Sequence, residues 1–110
     1  METVVLAEGL ALGAAIRQVA GHIEAARLRG ARRLLVIVPE GLDTPSTAQR
    51  LEMARTWAQA ADGRVRVAVV APQALIDPQR VGEVAAAGFG LEGRAFTDEA
   101  RARHWLDGNE

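Results

Sequence analysis

The chain has 110 residues, 49% of them apolar, a net charge of −1 and no cysteine. That length suits one domain over residues 1–110 with one real core, and that apolar content excludes disorder as the default state. The charge argues against a nucleic-acid partner, and the missing cysteines remove disulfides, thiolate metal sites and a cysteine nucleophile.

The first predicted element is a short β-branched run, Thr3 to Ala7, followed by the punctuating Gly9 and Gly13. Leu12, Ile16, Val19, Ile23 and Ala26 then recur at helical spacing, which predicts a helix from about Leu12 to Leu28 with Gly30 at its carboxyl cap. Leu34 to Val38 is an unbroken apolar run, the signature of a strand buried on both faces. Asp43-Thr44-Pro45-Ser46-Thr47 reads as a capped helix start. Asp43 or Thr44 is the expected cap, and Pro45 the expected first helical residue, where its missing N–H costs nothing. This second helix ends near Asp62-Gly63, with Leu51, Ala54, Ala58 and Ala61 as its inward stripe.

Val65 to Ala71 is a second continuous apolar run, closed by Pro72. Asp77-Pro78 repeats the cap-plus-proline device, and Val81, Val84 and Ala85 give the third helix its apolar side. Arg94-Ala95-Phe96 is a short fourth strand. Thr97 is the expected cap of a last helix that turns Ala102, Trp105 and Leu106 to one face. Strands alternating with helices predict an α/β fold, a single-layer and mainly parallel sheet of about four strands flanked by helices. The second and third strands should be central, the first and fourth at the edges. No apolar stretch approaches the ~18 residues of a membrane span, and no basic start leads into an apolar block. A soluble, cytoplasmic protein is expected.

The order of elements and several strings resemble the STAS superfamily in its SpoIIAA-like (anti-sigma-factor-antagonist-like) branch, which overlaps with CRAL-TRIO lipid-binding domains. The strings are Gly30-Ala31-Arg32-Arg33-Leu34-Leu35-Val36, Pro45-Ser46-Thr47-Ala48-Gln49-Arg50-Leu51, the Val65–Pro72 run, Leu75-Ile76-Asp77-Pro78 and Phe96-Thr97-Asp98-Glu99-Ala100. Members usually begin with a two-stranded hairpin, whereas one strand precedes the first helix here. Phospho-regulated members carry an Asp-Ser-Ser-Gly-like turn before the second helix, and Asp43–Thr47 has no glycine there. The resemblance implies a non-enzymatic regulatory or protein-interaction domain. Its implied partner is an anti-sigma-like protein or a serine/threonine kinase. The CRAL-TRIO alternative implies a small apolar ligand or lipid.

Three places carry candidate chemistry. Thr44, Ser46 and Thr47 put hydroxyls at a helix start, either as a phospho-acceptor or anion-contacting turn, Ser46 first among them, or as ordinary caps. Met53 and Trp57 are an i, i+4 pair beside the main helical stripe, either a pocket or partner surface or simply core. Leu75 and Ile76, with Ala74, make a greasy loop after the third strand, either a lid or a plug. Arg27, Arg29, Arg32 and Arg33 form a basic cluster at the end of the first helix, which reads as a solvated helix end or a contact for an acidic partner.

No catalytic constellation, metal site or cofactor is expected. His22 and His104 lack companions at metal-ligand spacing, and Ser46, the only serine, has no Gly-x-Ser-x-Gly context. Gly82, Gly88, Gly90 and Gly93 form no phosphate-binding pattern. An exposed edge strand or the Trp57 face would support a homodimer.

Overall fold

The computed structural model describes residues 1–108. The elements run β1 (Glu2–Val5), α1 (Leu12–Leu28), β2 (Arg33–Ile37), α2 (Thr47–Ala61), β3 (Arg66–Val70), a 3-10 turn (Gln73–Leu75), α3 (Val81–Gly88), β4 (Gly93–Phe96) and α4 (Glu99–Leu106). The four strands form one sheet in the order β1-β2-β3-β4, every pair parallel. The predicted α/β architecture is therefore the observed one, with β2 and β3 central and all pairs parallel.

A monotonic strand order dictates the layers. Parallel neighbours are joined by right-handed crossovers, so repeating the same step in one direction puts each connecting helix on the same face. α1 packs on α2 and α2 on α3, above the face formed by Leu34, Val36 and Val67. α4 follows the last strand and makes no crossover. It folds under the sheet, where Ala102, Trp105 and Leu106 cover Leu35, Ala68 and Phe96. Leu34, Leu35 and Val36 are consequently fully buried although they point to alternating faces. That is why β2 reads as an unbroken apolar run. Burying each such side chain stabilises the fold by about 1.5–3 kcal/mol against leaving it exposed. α4 covers β2, β3 and β4 from below, and Val5 on edge strand β1 stays 71% exposed.

α1 spans the predicted residues, with Ala15, Val19, Ile23 and Ala26 buried. Two inward positions were misplaced by periodicity. Leu51 in α2 and Val84 in α3 are exposed, at 44% and 69%. The reason is close approach within the helix layer. α2 lies between α1 and α3 and meets the sheet through the small side chains of Ala54, Ala58 and Ala61. At the α2–α3 contact, a Cβ placed on Gly82 would lie 3.8 Å from Cβ of Arg50. Small residues decide that interface, and the larger Leu51 and Val84 are left outside.

Helix starts also differ from expectation. Ser46, rather than Asp43 or Thr44, caps α2, and Pro45 precedes the cap instead of opening the helix. The Ser46 Oγ accepts from the Gln49 N–H at 3.1 Å, while the Gln49 Oε1 accepts from the Ser46 N–H at 2.8 Å. Ser-x-x-Gln is a reciprocal capping box, which satisfies two backbone donors and outcompetes a single cap upstream. Asp98, rather than Thr97, caps α4, accepting from the Ala100 N–H at 2.8 Å. Asp77 is not the cap of α3 either: Arg80 holds that position without a side-chain cap bond, and the Asp77 carboxylate braces the turn before it, accepting from the N–H groups of Gln79 at 3.1 Å and Val81 at 2.9 Å. The helix starts at Val81, because Arg80 takes a left-handed conformation (φ 55°) that breaks regular helix after Pro78.

Candidate functional site

In an open α/β sheet, ligands usually enter the crevice where strand order reverses. This sheet never reverses, so no such crevice exists here. A cleft forms instead between the upper helix layer and the sheet, running along β3 and β4 and reaching the carboxyl ends of the strands. Leu6, Val38 and Ala71, each just beyond β1, β2 and β3, line it together with Val67, Val69, Gly93 and Ala95. The cleft is overwhelmingly apolar, opens partly to solvent and has a volume of about 150 Å³.

The four apolar candidates from the sequence, Met53, Trp57, Leu75 and Ile76, all line this cleft. Met53 and Trp57 come from α2 and are half-buried, with Ile16 of α1 across from them. The Trp57 Nε1–H donates to the carbonyl of Ile16 at 3.0 Å. Its ring is thus both a wall of the cleft and a strut between α1 and α2. Core and pocket wall, set against each other in the sequence reading, are one role. Leu75 and Ile76 arrive from the far side on the loop after β3. Ala74 itself is exposed and does not line the cleft.

Arg50 fastens that loop. Its Nη1 donates to the Leu75 carbonyl at 3.1 Å, holding α2 to the loop across the mouth. No local signal marks Arg50, because its partner lies 25 positions away. The rim is polar, with Asp43, Asp77, Arg80 and Glu83 among its residues and Arg80 paired to Glu83. Asp77 is held below the usual carboxylate range, first by the Val81 N–H, then by the Gln79 N–H, with the positive charge of Arg50 adding to both. The charged residues of the lining balance in number, with Asp43, Asp77 and Glu83 against Arg50, Arg80 and Arg94, so the cleft carries no net formal charge to hold an ionic ligand.

Thr44 and Ser46 sit on the exposed turn between β2 and α2, and Thr47, also exposed, is the first residue of α2. Pro45 and Asp43 of the same turn line the cleft, so the hydroxyl-bearing corner and the greasy loop do share a rim, as parallel β2 and β3 require. The Ser46 hydroxyl is committed as the acceptor of the capping box, yet the residue remains solvent-exposed.

His22 and His104 are both exposed. Among the described residues no three histidine, cysteine or acidic side chains gather into a group able to hold a metal ion. No helix among them is long and apolar enough to cross a membrane. Comparison with known proteins returns no matching family model, no matching curated protein and no matching solved structure.

Proposed function

We propose that this protein is a non-enzymatic binding domain whose cleft receives a small apolar molecule about the size of a single aromatic ring. The observation that carries this reading is the cleft's volume combined with its lining. Drug-sized ligands occupy roughly 300–1,000 Å³, whereas an apolar cavity of about 150 Å³ takes benzene. At about 150 Å³, the cleft matches the smaller class. Its size therefore favours a compact ligand over an acyl lipid of the CRAL-TRIO kind, and its balanced rim favours a neutral one.

Titration with toluene, followed by NMR of the Trp57 indole N–H and the Met53 and Ile76 methyl groups, tests the proposal. Saturable shifts confined to these groups are expected, with loss of saturation in Ile16→Trp, which fills the wall opposite Trp57. Shifts that track exposed Val5 and Val84 equally well, or a co-purified acyl lipid in native mass spectrometry, refute it.

A second reading follows from one further observation. Ser46 is exposed on the turn that forms part of the cleft mouth. A regulatory domain of the anti-sigma-factor-antagonist kind would be modified there by a serine/threonine kinase, placing a phosphate dianion at the positive end of α2. Kinase labelling that disappears in Ser46→Ala supports this reading. Labelling that persists in that variant removes it.

A further inference from the structure

We propose that a second cleft, at the opposite end of the sheet, binds a small molecule bearing a phosphate group. It lies where β2, β3 and β4 begin, has a volume of about 230 Å³ and is lined by Arg32, Arg33, Arg64, Arg66 and Glu92, with Gly63 and Gly90 leaving it open. In contrast to the apolar cleft, this one is lined largely by arginines.

Chain topology gathers those groups. Arg32 ends the loop from α1 to β2, and Arg64 lies in the loop from α2 to β3. The two loops are neighbours because β2 and β3 are, and the Arg66 N–H donates to the Arg32 carbonyl at 2.8 Å. Arg33 and Arg66 are register partners on these adjacent strands. Like charges directly opposite each other on neighbouring strands repel and destabilise a sheet. Here each has its own carboxylate: Arg33 Nη1 donates to Asp107 at 2.9 Å and Arg66 Nε to Glu92 at 3.0 Å. Arg32 and Arg64 have no ion pair or side-chain hydrogen bond among the described residues.

The four arginines of this cleft thus have two carboxylate partners, Glu92 in its lining and Asp107 outside it. The uncompensated charge is two, set by Arg32 and Arg64. A phosphate monoester carries about −1.5 to −2 at neutral pH and offers three acceptor oxygens to a forked donor set. It fits that surplus better than a carboxylate, which carries a single charge. Complementing helix carboxyl ends explains an isolated arginine in such a loop. It does not explain opposed arginines in register with two more beside them.

Backbone amide NMR at low ionic strength, with inorganic phosphate, pyrophosphate and ribose 5-phosphate as separate titrants, tests the proposal. Saturable shifts at Gly63, Arg64 and Gly90 are expected. Tighter binding of the sugar phosphate assigns an organic ester as the ligand; equal binding assigns the free anion. Arg32→Gln with Arg64→Gln should weaken binding at least tenfold, and both residues are exposed, so the fold is retained. Glu92→Gln removes the competing carboxylate and should tighten binding about threefold. Equal shifts with sodium chloride at matched ionic strength overturn the proposal. So does unchanged affinity in the double variant, or weaker binding in Glu92→Gln.

Discussion

Replacing Arg66 by Met removes a charged head group while keeping an apolar stem of similar length, and the structure sets the expected loss. The guanidinium carbon lies 4.0 Å from the centre of the Trp105 ring, and Nη1 donates to the Trp105 carbonyl at 2.5 Å. Trp105 is itself buried and is the largest side chain joining α4 to the sheet. A partly desolvated cation–π contact contributes about 1 kcal/mol, and a hydrogen bond from a charged donor about 1.5–3 kcal/mol. The Glu92 ion pair adds little, because Glu92 is 75% exposed and such pairs average about 0–1 kcal/mol. Relief of the repulsion from Arg33 returns about 0.2–1 kcal/mol. The net loss is about 2–3 kcal/mol, a fall in Tm of about 8–12 °C for a domain of this size. Equilibrium urea unfolding measures the loss directly, and hydrogen exchange should place it in α4. Arg66→Lys should fall between the two proteins, since an ammonium cannot both stack on the ring and reach the carbonyl. Glu92→Gln should cost under about 0.5 kcal/mol. The reasoning fails if Arg66→Met lies within that same margin of the parent, or if Glu92→Gln is as damaging.

Ser46→Ala removes the accepting oxygen of the capping box and should destabilise the protein by about 1 kcal/mol in thermal or urea unfolding, with Ser46→Asp close to the parent. An equal loss in both variants would show that Ser46 matters for something other than capping. Asp77 is stabilised as a carboxylate in the folded chain, its titration lying below the ordinary 3.8. A lowered folded value means the contribution is complete above 3.8 and is lost as pH falls through the folded value. Asp77→Asn should therefore flatten the acid limb of a stability–pH curve below that point while leaving the neutral-to-alkaline limb unchanged in slope. A variant curve parallel to the parent's at every pH contradicts the assignment.

The strength of the sequence signal followed how local its cause is. α1 could be bounded from the spacing of Val19, Ile23 and Ala26, because one face of one helix meets one sheet. β2 declared itself through Leu34, Leu35 and Val36, since burial on both faces erases the usual alternation. Four cleft residues were legible as well. Met53 and Trp57 share a helical spacing, and Leu75 and Ile76 are too apolar for an ordinary loop. The capping box at Ser46 and Gln49 was present in the sequence but masked by the stronger proline signal beside it.

Other features depended on partners far along the chain. Leu51 and Val84 obey helical periodicity but fall outside the core, because the α1–α2–α3 layer closes through alanines and Gly82. Trp57 reaches a carbonyl 41 positions away, and Arg50 one 25 positions away. Arg33 and Arg66 oppose one another only once the β2–β3 register exists. The chain's local pattern determined its α/β alternation and which strands are buried on both faces, since side-chain period and turn chemistry act over a few residues. Tertiary structure alone decided the strictly sequential strand order, the one-sided helix layer and hence the two clefts. Those arise from packing between elements, whose geometry no short window of sequence contains.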